Sequence, residues 1–435
     1  MTPRTVIVGG GLAGLAAGVR LADRGIAVQM LESRDALGGR ASSVVDPATG
    51  RLIDNCQHVA MGCCSAYRGF CDRLGVGDKF RWTTQQWWHE KDGRVSVLKS
   101  VPGLGPLHSG WSFARSAFLT SAEKLAVARA FSKFVRWKDE SLKARTFGDV
   151  LDELRQPAGA IEKFWRPVIV SACNIQPELC VASLAVKVFR DGIMPSAHAA
   201  SVGVPTVPLR ELYDASIGII ERAGGSVRTK ARVFHVEQDG VRAHIDGDEQ
   251  TLEADAVICA TPPEVTADLL AASDPRVDAL RSIEHSPILG VHLEFDRPAL
   301  ETPHAVLLER GTHWLFRKDD EGRRLHAVIS AADEWMPMKG LDIVDRVVED
   351  VRAVLPAARD AELVWSRAIK ERRATFAATP AFEQTRVANT SDDAGVILAG
   401  CYTDTGWPAT MEGAVRSGER AAAIAAERLA AVPTG

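Results

Sequence analysis

The sequence predicts an α/β protein with a doubly wound parallel sheet and a second, discontinuous domain of mixed α+β structure. The first observation is an apolar stretch, 5–8, that leads into the glycine-rich stretch 9–14 and then a helical pattern. The second is that the alternation of strands and helices stops near residue 81 and resumes near 205. The third is a strand, loop and helix pattern over 396–429. We therefore expect one domain formed by 1–80, 205–285 and 390–435, and another formed by 81–204 and 286–389.

The glycine-rich stretch fits the pattern G-x-G-x-x-G of a dinucleotide-binding loop. Gly9 is expected to allow the tight turn, Gly11 to let a pyrophosphate approach the backbone, and Gly14 to let helix and strand pack closely. Leu12 and Ala13 lie in the same loop, where the N-terminus of the following helix favours phosphate. The stretch therefore predicts a dinucleotide site at the start of the chain.

An acidic residue and an arginine follow the second predicted strand, 28–31. Glu32 stands 18 residues after the last glycine of the loop, close to the spacing of the acid that binds a ribose hydroxyl, and Ser33 is next to it. The pattern E-x(5)-GGR is completed by Gly38, Gly39 and Arg40. It resembles the second signature of flavin oxidoreductases of the amine oxidase and phytoene desaturase type. An arginine there can pair with the pyrophosphate, so the resemblance favours FAD over NAD and implies a Rossmann-type FAD-binding domain.

The C-terminal stretch 396–418 resembles the C-terminal flavin motif of the same superfamily. It consists of a predicted strand, an Ala-Gly pair, a loop and a helix that starts near Met411. By that resemblance, the Met411 backbone N–H would meet the pyrimidine carbonyl of the flavin at a helix N-terminus. The resemblance implies flavin-binding roles for Gly400, Cys401, Thr410 and Met411, and Val233 is expected to join them from the predicted strand 226–235.

Composition places the chain among ordinary globular proteins. Hydrophobic residues make up 46% and charged residues 25% of the 435 residues. The net charge of −4 suggests no nucleic-acid partner, and the eight cysteines show no C-x-x-C spacing, so we expect no metal site. The first strand begins within five residues, which leaves no room for a cleavable signal peptide, and no run of 18 apolar residues predicts a membrane span. We expect a cytoplasmic location.

Three further stretches resemble one family within this superfamily. They are similar to the patterns D-N-G-Q-H-V, A-L-N-x-x-P-E and T-D-T-G-x-P-A-T, and they lie at 54–59, 171–178 and 403–410. Together they resemble the hydroxysqualene dehydroxylases, a squalene-associated FAD-dependent family of bacterial hopanoid pathways. The resemblance implies a long-chain isoprenoid substrate and conversion of hydroxysqualene to squalene by reduced flavin. It leaves the electron donor for the flavin open.

Two positions depart from the pattern of that family. Cys56 stands where the family has glycine, and Cys401 stands where it has an acid after Ala-Gly. A glycine lets the backbone approach the flavin, and an acid can bond the ribityl chain, so both replacements change the expected contacts. The alternatives are a covalent flavin thioether or a redox-active cysteine pair, and two small packing residues.

The implied reaction needs a proton donor, because hydroxide is a poor leaving group. His58 and Asp404 are the candidates, since both lie in motifs that approach the flavin and a buried Asp404 could stay protonated. The alternatives are that His58 only bonds backbone and that Asp404 only caps the loop before Thr410. Asn174 could orient the alcohol or could cap a helix end.

Other readings use the same fold. A carotenoid-type desaturase shares fold and cofactor but works oxidatively and needs no acid. An amine oxidase would want aromatic walls around the amine, and the chain has only three tyrosines, although Trp407 could serve. A third alternative is an isoprenoid-binding escort protein without flavin, against which the intact glycines, Glu32 and Arg40 argue.

The region 99–145 predicts a membrane-surface element. It holds nine Lys and Arg residues against three acids, a net charge of +6 in a chain whose total is −4. Six aromatic residues are interleaved with the charges: Trp111, Phe113, Phe118, Phe131, Phe134 and Trp137. This pattern suits an interfacial helix on anionic lipid at the inner face of the plasma membrane. The alternative is a helix with a solvated basic face and its aromatic residues in the core.

Overall fold

The computed structural model describes residues 4–390 and 395–431, so the predicted segments 1–80 and 390–435 lie partly outside the described residues. The strands are β1 (Thr5–Val8), β2 (Val28–Leu31), β3 (Ser43–Val45), β4 (Leu52–Asp54), β5 (Ala60–Met61), β6 (Phe80–Thr83), β7 (Gln85–His89), β8 (Val95–Lys99), β9 (Val202–Pro205), β10 (Ser226–Arg228), β11 (Arg232–Glu237), β12 (Gly240–Ile245), β13 (Asp248–Glu253), β14 (Ala256–Cys259), β15 (His285–Phe295), β16 (His304–Leu307), β17 (Trp314–Arg317), β18 (Arg324–Ser330), β19 (Leu363–Phe376) and β20 (Ile397–Leu398).

The α-helices are α1 (Leu12–Ala22), α2 (Ser65–Arg73), α3 (Gly110–Arg115), α4 (Ser121–Phe134), α5 (Phe147–Glu153), α6 (Ala158–Ala160), α7 (Arg166–Cys173), α8 (Ala182–Lys187), α9 (Ala215–Arg222), α10 (Pro263–Leu269), α11 (Val277–Arg281), α12 (Gly340–Val354), α13 (Pro380–Thr385) and α14 (Met411–Ala431). Two π-helical turns, Ile161–Trp165 and Val188–Ile193, interrupt the helical region. Among the described residues, no helix has both the length and the apolar character needed to cross a membrane.

A five-stranded parallel sheet in the order β10-β2-β1-β14-β20 organises the cofactor-binding half of the molecule. Alternate side chains of its strands point to opposite faces. Ile7 and Ile258 pack with α1 and α14, whereas Val6 and Val257 pack with the three-stranded antiparallel sheet β11-β12-β13. The predicted α/β fold with a parallel sheet is confirmed. Helices α1 and α14 cover one face of the parallel sheet, and the strands β11, β12 and β13 cover the other face.

All three predicted segments contribute to the parallel sheet, because β1 and β2, β10 and β14, and β20 come from separate parts of the chain. The second half contains a seven-stranded mixed sheet, β19-β15-β18-β17-β16-β7-β8, on which α12 packs. It also contains the helical stretch from α3 to α8. The limits between the two domains remain a prediction.

Two expected elements differ in the structure. The stretch 209–223, which Gly224-Gly225 follows, predicts one helix in the sequence, but the structure has a 3-10 turn, Leu209–Leu212, followed by the shorter α9. The predicted strand 226–235 is divided into β10 and β11, because Lys230 has a positive φ of 54° and the chain turns there. The division places β10 at the edge of the parallel sheet and β11 across its face.

The region 99–145 forms β8's last residue, α3, α4 and the connecting loops. The aromatic residues of α4 are not presented to solvent: Phe134 is buried, Phe131 is half-buried, and both pack against Trp165. The expectation of an interfacial α4 with exposed aromatic residues is therefore wrong, because these rings pack into the core of the helical region. The most exposed apolar side chains of the region lie earlier, at Leu107 and Trp111, while Leu125 of α4 and Val135 directly after it are also exposed.

Candidate active site

A cavity of about 740 Å³ lies at the carboxyl ends of the parallel strands. Gly9 follows β1, Glu32 follows β2, Ala260 follows β14 and Gly400 follows β20, and all four line the cavity. In open α/β sheets this edge is where ligands bind. The opposite wall comes from the second half of the molecule, including residues of α7, β15, β18 and β19.

The three glycines of the loop meet different requirements. Gly9 has a φ of 105°, and a Cβ there would lie 2.8 Å from the Ala260 carbonyl oxygen. A Cβ at Gly14 would lie 2.0 Å from the Gly9 carbonyl oxygen, so close packing of α1 on β1 excludes any side chain. Gly11 is different, because its φ of −75° and ψ of 174° suit any residue. The nearest atom to a Cβ at Gly11 is the Gly39 Cα, at 3.9 Å, so only a ligand in the cavity would require glycine at this position.

The N-terminus of α1 lies at the cavity, where its first backbone N–H groups are available to a ligand. Gly11 is its N-cap and provides no side-chain acceptor, and the first N–H groups of a helix have no intrahelical partner. Leu12 and Ala13, which carry these groups, line the cavity. The uncapped N–H groups and the helix dipole suit a phosphate anion.

Glu32 is buried and fixes the shape of the loop. One carboxylate oxygen accepts from the Gly10 N–H at 2.7 Å, and the other accepts from the Arg34 N–H at 2.8 Å and from the Ser33 hydroxyl at 3.2 Å. Glu32 and Ser33 both line the cavity. Contact of Glu32 with a ribose remains a prediction.

Arg40 reaches across the cavity from the GGR stretch. Its guanidinium donates to the Ala374 carbonyl at 3.4 Å, which is long for an oxygen acceptor, and to the Cys401 sulfur at 3.3 Å. A guanidinium has five N–H donors, so these contacts leave hydrogens for an anion. The geometry suits the predicted pairing with a pyrophosphate.

A buried ion pair holds the loop between β20 and α14. Arg386 donates to the carbonyls of Cys401 and Trp407, each at 2.8 Å, and forms a 3.2 Å salt bridge with Glu383. Thr410 then caps α14 by accepting from the Gly413 N–H at 3.2 Å. These contacts fix the position of the first turn of α14 beside the cavity.

Most of the predicted cofactor-binding residues meet in this one cavity. Those that line it are Gly9, Gly11, Leu12, Ala13, Glu32, Ser33, Gly39, Arg40, Val233, Gly400, Cys401, Thr410 and Met411. Gly14 lies behind the loop and acts through packing. The structure thus brings the N-terminal, central and C-terminal motifs together, and the role of each residue remains a prediction.

His58 lines the cavity, but its surroundings do not favour an acid. Its Nδ1 donates to the Cys56 carbonyl at 3.1 Å, because a carbonyl can only accept. Burial lowers the pKa of His58, so the ring is neutral at neutral pH. A neutral ring whose only N–H proton is held by backbone is a poor proton donor, which corresponds to the backbone-bonding alternative.

Asn174 also lines the cavity, but its side-chain amide is hydrogen-bonded to other groups of the protein. It ends α7 in the left-handed conformation, with a φ of 55°. Its amide donates to the Ser286 carbonyl at 3.0 Å and the Thr375 hydroxyl at 2.9 Å, and its oxygen accepts from the Ala331 N–H at 2.6 Å. Both amide hydrogens are used, so the structure supports the helix-end role rather than orientation of an alcohol by that amide group.

Asp404 is exposed and is not among the residues that line the cavity. Its carboxylate accepts from the Gly406 N–H at 3.3 Å, within the loop before Thr410. The expectation of a buried, protonated Asp404 is therefore wrong, since the loop turns this side chain to solvent. The loop-capping alternative describes it.

Cys56 and Cys401 both line the cavity as free, buried thiols. Burial, with the nearby Glu371 carboxyl, raises the pKa of Cys56 to about 12. The thiolate is the reactive form of cysteine, so this environment disfavours covalent or redox chemistry at Cys56. Packing is the simpler account of Cys56, whereas the Cys401 sulfur also accepts a hydrogen bond from Arg40.

Glu371 is a cavity residue that the sequence patterns did not indicate. It lies in β19, a strand of 14 residues that carries five Lys, Arg and Glu side chains. Such a strand resembles a solvated surface strand in sequence. The sequence of this strand shows only one acid among basic residues. That pattern does not distinguish a carboxylate on the surface from one that faces a cavity.

Residues 12–426 match the family described as flavin containing amine oxidoreductase. The match covers most of the chain, and the chain belongs to this family of flavin-dependent oxidoreductases. The glycine cradle, Arg40 and the first turn of α14 are consistent with a bound flavin.

Curated relatives match nearly the full chain at modest identity. A hydroxysqualene dehydroxylase from Sinorhizobium fredii is 27% identical, with 97% of this chain and 98% of the relative covered. A hydroxysqualene dehydroxylase from Rhodopseudomonas palustris is 26% identical, with 97% and 98% covered. A 15-cis-phytoene desaturase from Capsicum annuum is also 26% identical, with 95% of this chain and 76% of the relative covered.

Solved structures share the fold. A putative protoporphyrinogen oxidase from Exiguobacterium is 18% identical with a TM-score of 0.70, covering 98% of this chain and 99% of that one. A cyclohexylamine oxidase from Brevibacterium oxydans is 17% identical with a TM-score of 0.71, covering 99% and 100%. At these identities the likeness concerns the fold alone.

Proposed function

We propose that this protein binds FAD and reductively removes the hydroxyl group of hydroxysqualene to give squalene. The observation that carries the proposal is the cavity, in which a dinucleotide cradle faces a wall of apolar and polar side chains with few aromatic rings. The full-length similarity to hydroxysqualene dehydroxylases supports this choice of substrate. The same cavity suits related isoprenoids, so the reaction has to be tested directly.

FAD is the form of flavin that fits the residues present. Its pyrophosphate would be held by the loop backbone at Gly11 to Ala13 and by Arg40, because this is where the uncapped helix N-terminus meets the cavity. The adenosine half would extend past Glu32 and Val233, and the flavin half would extend toward Met411. When bound and reduced, FAD supplies a hydride.

The wall opposite the cradle favours a hydrocarbon over an amine. It includes Val59, Ala172, Ile288 and Val328. Among the described residues that line the cavity, two carry a phenyl or phenol ring, namely Phe234 and Tyr402. The Tyr402 hydroxyl lies 3.2 Å from the Thr266 hydroxyl and is hydrogen-bonded to it.

Trp407, the other candidate for an aromatic wall, packs its ring against two cations elsewhere. The Lys187 ammonium lies 5.5 Å and the Arg416 guanidinium 5.1 Å from the ring centroid. An amine oxidase that holds its substrate between aromatic walls is therefore less well supported.

A substrate of this kind is dissolved in the bilayer, so we propose that the protein collects it at the inner face of the plasma membrane. The surface for this contact is the loop that we call the apolar loop, Val101 to Trp111. Leu107 and Trp111 are 74% and 75% exposed there, and the Arg115 guanidinium lies 5.6 Å from the Trp111 ring centroid. Arg129 and Lys133 of α4 are exposed nearby in sequence. Exposed apolar residues beside cations suit an anionic membrane surface.

A panel of substrates tests the reaction. Holoenzyme photoreduced under anaerobic conditions is incubated with hydroxysqualene, and oxidised holoenzyme is incubated with phytoene or with diamines, before products are analysed by mass spectrometry. We expect squalene from the first incubation and no desaturated phytoene or aldehyde from the others. Desaturation of phytoene by the oxidised enzyme, without squalene formation by the reduced enzyme, would favour the desaturase reading.

A further inference from the structure

The proposed reaction consumes a proton at the substrate hydroxyl, and the candidates from the sequence do not supply it. His58 is neutral and its N–H is bonded to backbone. Asp404 lies outside the cavity, and Asn174 is not an acid. A proton donor has to come from another ionisable side chain that reaches the cavity.

Glu371 reaches the cavity because β19 bulges beside it. In the pairing of β15 with β19, Ser286 lies opposite Thr375 and Ile288 lies opposite Glu371. Residues 372–374 therefore lie opposite the single residue Pro287. Proline has no N–H to give to the ladder, and a bulge at such a position re-aims the side chains of the longer strand.

Because of the bulge, neighbouring charged side chains of β19 face different surroundings, either solvent or the cavity. Arg372 and Arg373 are exposed, whereas Glu371, Ala374 and Thr375 line the cavity. In an unbroken strand the alternation would place neighbours on opposite faces. The chain thus holds one half-buried carboxyl at the cavity while it keeps the adjacent guanidinium groups in water.

The Glu371 carboxyl lies near the Asn55 side chain and the guanidinium groups of Arg34 and Arg40. Asn55 is itself fixed by a 2.7 Å bond to the Arg40 carbonyl and a 3.3 Å bond from the Ser42 N–H. Burial raises the pKa of Glu371, and it outweighs the opposing effects of Asn55, Arg34 and Arg40. A pyrophosphate paired with Arg40 would screen one of these cations and would raise the pKa further.

We propose that Glu371 is the acid that protonates the hydroxyl group of the substrate; this assignment rests on the proposed function. The Glu371 O–H bond breaks as its proton joins the hydroxyl oxygen, and the C–O bond breaks with its electron pair so that water leaves. A hydride from reduced FAD forms the new C–H bond, which leaves oxidised FAD. The Glu371 carboxylate then takes up a proton from solvent.

The variant Glu371→Gln keeps the shape and hydrogen-bonding capacity of the side chain but removes the acid. In a single turnover of photoreduced holoenzyme with hydroxysqualene, we expect the rate to fall at least about 100-fold, while FAD content is retained. Glu362→Gln is the matched control, because Glu362 is an exposed acid immediately before β19. Glu371→Asp, which retains an acid one methylene shorter, is expected to recover part of the rate.

Two readouts separate this proposal from a structural role. The wild-type rate should fall as pH rises through the raised pKa of Glu371, because the protonated form is the active one, and this dependence should be absent from the residual rate of Glu371→Gln. Infrared spectra of oxidised holoenzyme, recorded across a pH titration, should show a protonated carboxyl band that persists to higher pH than that of an ordinary glutamate and that Glu371→Gln lacks.

The possible failures are distinct. If wild-type enzyme forms squalene and Glu371→Gln forms it at the same rate, the assignment of the acid is wrong and the proposed function stands. If wild-type enzyme forms no squalene, the proposed function is wrong, and the assignment of the acid falls with it. If Glu371→Gln loses FAD or fails to fold, the wild-type pH dependence and carboxyl band decide, and the absence of both would overturn the proposal.

Discussion

Gly11 and Gly14 occupy the same loop but are glycine for different reasons. A side chain at Gly14 would collide with the backbone of Gly9, whereas a side chain at Gly11 would occupy open cavity. The fold therefore requires glycine at position 14, whereas a bound cofactor would require glycine at position 11. This distinction gives a test of cofactor placement that does not depend on turnover.

We predict that Gly11→Val folds with little bound FAD and that Gly14→Val is strongly destabilised. The backbone of Gly11 already has dihedral angles that valine adopts, so the added side chain should block only the pyrophosphate. Gly69→Val is the control, because Gly69 is exposed on α2 and a Cβ there meets nothing within 4 Å. The measurements are flavin absorbance per protein and the melting temperature. Full FAD occupancy in Gly11→Val would contradict the placement of the pyrophosphate.

The residues of the site differ in how far sequence could identify them. The glycine loop, Glu32 and Arg40 were found because their spacing along the chain reflects local backbone geometry. Asp404 was misplaced because its exposure depends on the turn that its loop makes. Glu371 was missed because its direction depends on a bulge opposite Pro287, a residue more than 80 positions earlier in the chain.

At the scale of elements, α4 shows that composition alone does not determine which face of a helix is exposed. Its sequence mixes aromatic and basic residues, as interfacial helices do. The structure buries Val127, Ala130 and Phe134 and exposes Arg129 and Lys133. The apolar loop, which ends in the first turn of α3, holds the most exposed large apolar side chains of the region, and Leu125 and Val135 are exposed as well.

We predict that the apolar loop binds anionic membranes. Leu107→Ser with Trp111→Ser should reduce co-sedimentation with vesicles that contain phosphatidylglycerol, because it removes the apolar contact. Leu341→Ser is the control, since Leu341 is 77% exposed at the start of α12, outside this region. Lys133→Glu with Arg136→Glu should make a smaller, salt-sensitive difference. Equal binding by the loop variant and wild type would exclude this surface.

At the scale of the whole molecule, the site lies between two halves that are joined by a continuous hydrophobic cluster, which runs from Val8 of the parallel sheet to Trp165 of the helical region. The parallel sheet supplies the cradle for the dinucleotide, and the mixed sheet supplies β15, β18 and β19 as the opposite wall. The βαβ pattern predicted the first half well, because parallel strands are apolar and short. The pairing of β15 with β19 was not predicted, because their contacts join strands from distant parts of the chain.

The central claim is that reduced FAD in this cavity delivers its electrons to hydroxysqualene. A single-turnover measurement tests it most directly: photoreduced holoenzyme is mixed anaerobically with hydroxysqualene, flavin absorbance is followed, and squalene is quantified in the same sample. We predict that the spectrum of oxidised flavin returns and that one squalene forms for each flavin oxidised. A flavin that stays reduced, with the substrate recovered unchanged, would contradict the account.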